Sequence, residues 1–181
     1  MTFKLLSLAF VAGLAMSAPS ANAAIYNFTQ TGFDFGASLS GSFQATDLNA
    51  DGKLITNPFD ALADEITDFT FTFSGNSIVS GFTHSFSDLT VLYYTPTKSV
   101  FGVLDPEGLA SNWFGSTGYM YESGVGATGA QGANIVNVLT GAKTISENFI
   151  TVTPAAVPVP GAVWLFGSVL AGFIGAKRRK N

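Results

Sequence analysis

Cysteine is absent, so disulfides and thiolate metal sites are excluded outright. Histidine occurs once, as His84, and one imidazole cannot build a histidine-rich zinc site. Charge is scarce too, at 11% of residues. It is also unevenly placed. All 12 acidic residues lie between Asp34 and Glu147, where the only cations are Lys53, Lys98 and Lys143, a net of −9 over that stretch. Such a surface repels phosphate backbones, which argues against a nucleic-acid partner. It suits solubility and divalent cations instead. Aromatics and glycine are plentiful, with 17 Phe and 20 Gly. A domain without disulfides must be held by its core, and roughly 130 residues between the two chain ends are enough for one.

The remaining basic residues mark those ends. Residues 1–23 read as a signal peptide. Lys4 supplies the charge, Leu5 to Ala15 the short apolar run, and Ser17, Pro19 and Ser20 the break. Ala21-Asn22-Ala23 fits the small-x-small rule, placing cleavage before Ala24. The alternative is an amphipathic or buried first helix. At the other end Pro154, Pro158 and Pro160 form an extended spacer over residues 154–160. Gly161 to Ala176 then runs without a charge, and counting from Val157 gives 20 residues. About 20 apolar residues suffice for a helix to cross a bilayer. Trp164 suits an interface, and Lys177, Arg178, Arg179 and Lys180 (residues 177–181 with Asn181) act as a cytoplasmic stop-transfer signal. Both ends give one topology, with residues 24–153 outside the cytoplasm. Basic runs also serve as nuclear or nucleic-acid signals, but position after an apolar segment favours stop-transfer.

Val157-Pro158-Val159-Pro160-Gly161, followed by Val163-Trp164-Leu165-Phe166-Gly167-Ser168 and the terminal basic run, resembles the PEP-CTERM sorting tail. It is most like the Val-Pro-Leu-Pro-Ala variant of that tail. Val159 stands where the commoner motif has Glu, and Gly161 replaces the variant's Ala. The resemblance covers about the last 25 residues. It implies secretion in a Gram-negative, exopolysaccharide-making bacterium and cleavage by an exosortase-type membrane protease. The partners implied by the two ends are the secretion translocon, signal peptidase, that protease and, through the C-terminal helix, the membrane. The expected path is an inner-membrane-anchored precursor, then the cell surface or extracellular matrix.

Between the ends the pattern is that of strands. Phe69, Phe71 and Phe73 alternate with Thr70 and Thr72, and Phe82, His84 and Phe86 repeat the period. Tyr26-Phe28, Leu39-Phe43, Leu89–Tyr94, Ser99–Leu104, Tyr119–Tyr121, Asn134–Leu139 and Thr144–Val152 complete eight or nine strands, with Thr95-Pro96-Thr97 as a turn. The expectation is an all-β fold, a single antiparallel β-sandwich or jelly-roll-like passenger, with a signal helix before it and one transmembrane helix after. Asp60 to Ile66 is the one candidate helical turn. Gly124 to Gly132 reads as a flexible loop, since it lacks the lysine and context of a phosphate cradle.

Three patterns could carry chemistry. Asp47-Leu48-Asn49-Ala50-Asp51-Gly52-Lys53 resembles the start of a calcium loop, with Asp47, Asn49 and Asp51 as oxygen ligands, Gly52 at the turn and the Lys53 carbonyl following. Position 12 is Pro58, so Asp60, Asp64 or Glu65 would have to reach back for Ca2+ to bind. The plain alternative is an Asx-rich turn. Trp113, Phe114, Tyr119 and Tyr121 sit in a Gly/Ser/Asn-rich stretch, and Trp113, Tyr119 and Tyr121 could stack on sugar rings of an extracellular polysaccharide or simply pack inside. For catalysis, His84 shares a face with two Phe, there is no Gly-x-Ser-x-Gly elbow, and nothing brings Glu107, Glu122 and Glu147 into a glycosidase pair. An enzyme is therefore not expected. The leading function is a structural or adhesive surface protein. The alternatives are a carbohydrate-binding sandwich, aided or not by calcium, and a secreted hydrolase.

Overall fold

A computed structural model describes residues 23–56, 64–101, 107–124 and 132–155. The signal segment, the sorting motif, the apolar run at 161–176 and the basic tail lie outside the described residues. Among those described, no helix is long and apolar enough to cross a membrane.

Among the described residues twelve strands form two six-stranded antiparallel sheets. They are β1 (Ala24–Gln30), β2 (Leu39–Ala45), β3 (Leu54–Thr56), β4 (Ile66–Phe73), β5 (Phe82–Ser85), β6 (Leu89–Tyr94), β7 (Val100–Phe101), β8 (Gly108–Ser111), β9 (Tyr119–Ser123), β10 (Ala133–Asn137), β11 (Lys143–Ser146) and β12 (Ile150–Pro154). The first sheet runs β5-β4-β2-β1-β12-β7 and the second β11-β10-β9-β8-β6-β3. The expected all-β class is what the chain adopts. The two sheets face one another as a sandwich, and aromatic rings meet across the gap. Tyr94 of the second sheet meets Tyr26 and Phe43 of the first edge-on at 5.6 and 5.8 Å. Phe71 meets Tyr121 at 5.1 Å, and Phe82 stacks on Tyr119 at 4.6 Å. Such pairs contribute about 0.5–1.5 kcal/mol each beyond the area they bury.

The alternation read in the sequence sets the first sheet's faces. In β4 Phe69, Phe71 and Phe73 are each 1% exposed, while Thr70 and Thr72 face solvent. Gly41 of β2 lies in register between Phe28 and Phe71. A Cβ there would sit 2.3 Å from the Thr70 carbonyl oxygen and 2.7 Å from the Phe28 ring. Only a hydrogen fits, so this glycine makes room for the aromatic layer.

Several boundaries depart from the sequence reading. Phe86 does not continue the strand of Phe82 and His84. It opens a 3-10 turn over Phe86–Asp88 and is 44% exposed. Asp88 caps that turn by accepting from the Ser85 backbone N–H at 2.8 Å. The expected strand Thr144–Val152 is two strands in different sheets, β11 and β12, separated by Glu147-Asn148-Phe149. Of the expected helical turn, Ile66 begins β4, and Asp64 and Glu65 lie in no helix. Its first residues are outside the described set. Strands β3 and β8 were not foreseen, being short and without alternation.

The first and last strands pair. Tyr26 is in register with Pro154, and the Ala155 N–H donates to the Ile25 carbonyl at 2.7 Å. The chain thus enters and leaves the sandwich side by side, at one pole. The loop that follows Ala45 belongs to the same pole, because Ala24 and Ala45 are paired.

Candidate functional site

The Asp47–Lys53 loop is built as a series of Asx turns. Asp47 accepts from the N–H groups of Asp51 (3.2 Å) and Gly52 (2.9 Å). Asn49 accepts from Asp51 N–H, and Asp51 from Lys53 N–H, both at 2.9 Å. Gly52 takes a φ of 77°, the left-handed conformation its place demands. Glu65 does reach back, as a long-loop ligand would. Its buried carboxylate accepts from Leu48 N–H at 2.9 Å and Ile55 N–H at 3.1 Å, closing the loop at both ends. The side-chain oxygens of Asp47, Asn49, Asp51 and Glu65 are therefore already engaged with backbone donors. Lys53 places its ammonium 5.6 Å above the Tyr93 ring. Among the described residues no three of His, Cys, Asp and Glu gather where they could hold a metal ion.

The histidine has an unforeseen partner. His84 Nδ1 lies 2.7 Å from Ser111 Oγ, a serine–imidazole pair spanning both sheets. Ser111 has no exposed surface, and the imidazole is packed between Phe71 at 5.1 Å and Phe82 at 4.8 Å. A nucleophile must meet its substrate, and this one cannot without opening the core. Burial lowers the His84 pKa, against opposing contributions from the Asp88 carboxylate and the Tyr119 backbone. Neutral imidazole joined to a serine hydroxyl is a satisfied core pair, the packed role the alternation suggested.

The three glutamates are occupied separately. Glu107 is buried and accepts from the Lys98 ammonium at 3.1 Å. Glu122 is buried on the outward side of β9 and accepts from the Asn134 amide at 2.8 Å. Glu147 is exposed between β11 and β12, beside a shallow depression of about 440 Å³ lined also by Thr29, Thr31, Asn148 and Thr151. No described contact joins any two of them.

The aromatic candidates divide. Tyr121 is fully buried and donates its hydroxyl to Gln30 Oε1 at 2.7 Å, the packed alternative rather than a contact with a sugar. Burial raises its pKa, and burial likewise pushes that of Tyr94 up to about 12. Tyr119 is half-buried against Phe82. Trp113 and Phe114 are 38% and 69% exposed at the β8–β9 loop. Asn112 shapes that loop from a left-handed φ of 52°, donating its amide to the Thr117 and Tyr119 carbonyls at 2.9 and 3.0 Å.

Two arrangements were not foreseen. The first is a polar knot at the pole away from the chain ends. Gln30, 1% exposed, accepts from Tyr121 and donates to Ser123 Oγ at 3.1 Å and the Asn148 carbonyl at 2.7 Å. Beside it Thr144 donates to Asp34 Oδ2 at 3.0 Å and accepts from Asn76 Nδ2 at 2.9 Å. The second is the outer face of the first sheet. Register aligns Thr83, Thr72, Ser40, Thr29 and Thr151 in one rank across five strands. It aligns Ser85, Thr70, Ser42, Asn27 and Thr153 in the next. Nine of these ten are exposed and Ser42 is half-buried. The polar halves of the Phe-Thr alternation were the signal for it, but only strand order could show that they meet.

The fold and these sites define an all-β, two-sheet antiparallel sandwich domain. No family model, curated protein or solved structure matches the chain.

Proposed function

We propose that the chain is an exported structural or adhesive protein of the cell surface or extracellular matrix, carried as a passenger between a cleavable signal and a PEP-CTERM-like sorting tail. The observation that carries this reading is the pairing of β1 with β12. The first strand opens at Ala24, the residue that would follow signal cleavage, and the last closes at Pro154, where the proline spacer begins. A domain whose terminal strands pair at those residues keeps that pairing when either flank is cut. Ala24 and Pro154 lie at one pole, so attachment to a membrane beyond either residue would tether the sandwich from that pole. A non-enzymatic role is supported by the burial of Ser111, which keeps the one serine–imidazole pair from any substrate.

Intact mass of the protein extracted from its native host tests the reading. The expected species starts at Ala24 and ends between Val157 and Gly161. A species that retains Lys177 to Asn181 would make the tail a permanent anchor and overturn the exosortase assignment. A species that retains Met1 would overturn export by a cleaved signal.

A further inference from the structure

We infer that the outer face of the first sheet is a binding surface for a neutral polysaccharide chain. The face offers ten hydroxyl or amide side chains in two ranks, and not one of the ten is charged. Neighbours within a rank are about 4.8 Å apart and the ranks about 6.8 Å apart, by the spacing of strands and of alternate residues along them. Hydroxyls both donate and accept, which is what a polyol demands of its partner. Solvated protein surfaces ordinarily carry Lys, Arg, Glu and Asp at about a quarter to a third of their positions, which keeps them soluble. This domain is acidic yet keeps charge off these positions. The carboxylates near the ranks lie at their margins: Asp88 accepts from Ser85 Oγ at 3.0 Å at the β5 edge, Asp68 stands opposite Gln44 beyond the ranks, and Glu147 lines the depression beside Thr29 and Thr151. The surrounding negative charge disfavours polyanions such as sulfated or uronate-rich glycans, while an uncharged face pays no desolvation of ions to meet a neutral one.

The central groups are also free to engage. Thr72 and Thr83 share a 2.9 Å hydrogen bond, and Thr70 donates to the His84 carbonyl at 3.1 Å. Asn27, Thr29, Ser40, Ser42, Thr151 and Thr153 make no side-chain hydrogen bond among the described residues. Those six belong to the three adjacent central strands β2, β1 and β12 and form a continuous strip. The strip continues past Thr29 and Thr151 into the depression beside Glu147 and Asn148. A single extended chain laid along β1 would meet all three strands. The inference depends on the export reading only for where such a glycan is encountered; binding is measured without it.

The test is retention of the full-length protein, purified in mild detergent, on insoluble cellulose and on a neutral dextran matrix, with dextran sulfate as the anionic comparison. Retention on at least one neutral polymer, unaffected by raised salt, is expected, with none on the sulfated one. The triple variant Thr29→Val, Ser40→Ala and Thr151→Val should weaken it about tenfold or more, since each lost hydrogen bond removes about 0.5–1.5 kcal/mol. The pair Ser42→Ala and Thr153→Val should act in the same direction, so one poorly folding variant does not decide the matter. Unchanged thermal unfolding confirms that the fold persists. Failure on both neutral polymers overturns the inference. So does equal retention of the variants, or loss of retention on Trp113→Ala alone, which would move the sugar to the aromatic loop. Host-protein mass reports export separately from any of these results.

Discussion

The two sheets of this sandwich divide polarity in opposite ways. The first sheet is the more regular: Phe28, Phe43, Phe69, Phe71 and Phe73 dominate its inner face, with buried Gln30 and His84 among them, and two ranks of hydroxyl and amide side chains lie on its outer face. The second is mixed on both sides. Its inner face carries Tyr94, Tyr121, Ser111, Ser123 and Thr144 among Leu and Ile, every one of those polar groups fully or almost fully buried. Its outward positions include half-buried Val91, Tyr93, Met120 and Val136 around the Glu122–Asn134 pair. The first sheet is held chiefly by hydrocarbon burial. The second adds hydrogen bonds that must be made, because a buried polar group left unpaired costs about 1–3 kcal/mol.

That division predicts where substitutions hurt. The largest effect belongs to the first sheet's interior. Phe71 touches Phe69, Phe82, His84 and Tyr121 by ring contacts between 5.1 and 5.8 Å. Phe71→Ala should cost about 3–5 kcal/mol, as expected for deleting a buried ring that neighbours cannot refill. Denaturant unfolding measures it, and a loss under about 1 kcal/mol would break the picture of a rigid aromatic layer.

Next comes one residue type on two faces. Thr144 of β11 is wholly buried in the polar knot, while Thr29 of β1 stands in the exposed rank. Thr144→Val should cost about 1–2 kcal/mol, because the Asp34 carboxylate loses a donor and the Asn76 amide an acceptor. Thr29→Val should stay within about 0.5 kcal/mol. Equal costs would mean that the two sheets do not differ as described.

This contrast also explains what the sequence could reveal. Alternation is visible when one face is apolar and the other is not, so β1, β2, β4 and β6 were legible from Phe, Tyr and Leu positions alone. In β8, Gly108 to Ser111 is buried throughout and shows no period. The break at Glu147-Asn148-Phe149 was hidden because β11 and β12 read as one polar–apolar run. Their separation depends on which sheet each joins. The ranks of hydroxyls, the serine partner of His84 and the Gln30 knot all join residues distant in the chain, and local pattern holds no record of such pairings. The Asp47–Lys53 turn is the opposite case. Its Asx contacts lie within five residues, so its geometry could be anticipated from the sequence, whereas the closing role of Glu65 could be named only as a candidate.

Acid should sharpen the comparison at His84, whose imidazole meets Ser111 across the two sheets. His84 has its pKa lowered by burial, so the folded state binds a proton less readily than the unfolded chain. Its contribution is therefore unfavourable below the unfolded value of about 6.5 and vanishes above it. As pH falls beneath that value, stability should decline by at most about 1.4 kcal/mol per unit on account of this group, until the folded pKa is reached. A His84→Gln variant removes the titration. The difference in unfolding free energy between it and the parent should be flat above pH 6.5 and slope below, by the same linkage. A flat difference throughout would mean that the imidazole is not desolvated.

The smallest expected effect is that of calcium on the pole where the chain ends meet. A loop of this ligand pattern without a bidentate Glu at its twelfth position would bind, if at all, in the range of about 0.1–1 mM. At a concentration equal to its dissociation constant a ligand stabilises by only about 0.4 kcal/mol. Here even that contribution is opposed, since Asp47, Asn49 and Asp51 already accept from the N–H groups of Asp51, Gly52 and Lys53, and Glu65 from Leu48 and Ile55. Calcium would have to use the remaining lone pairs of oxygens whose positions the turn has fixed. Millimolar calcium should leave the unfolding midpoint unchanged, and Asp51→Asn, which keeps an acceptor for Lys53 N–H, should be nearly neutral. A calcium-dependent rise of several degrees, absent in Asp51→Asn and not reproduced by magnesium, would show that the loop gains its last ligand from the cation's own rearrangement of Glu65.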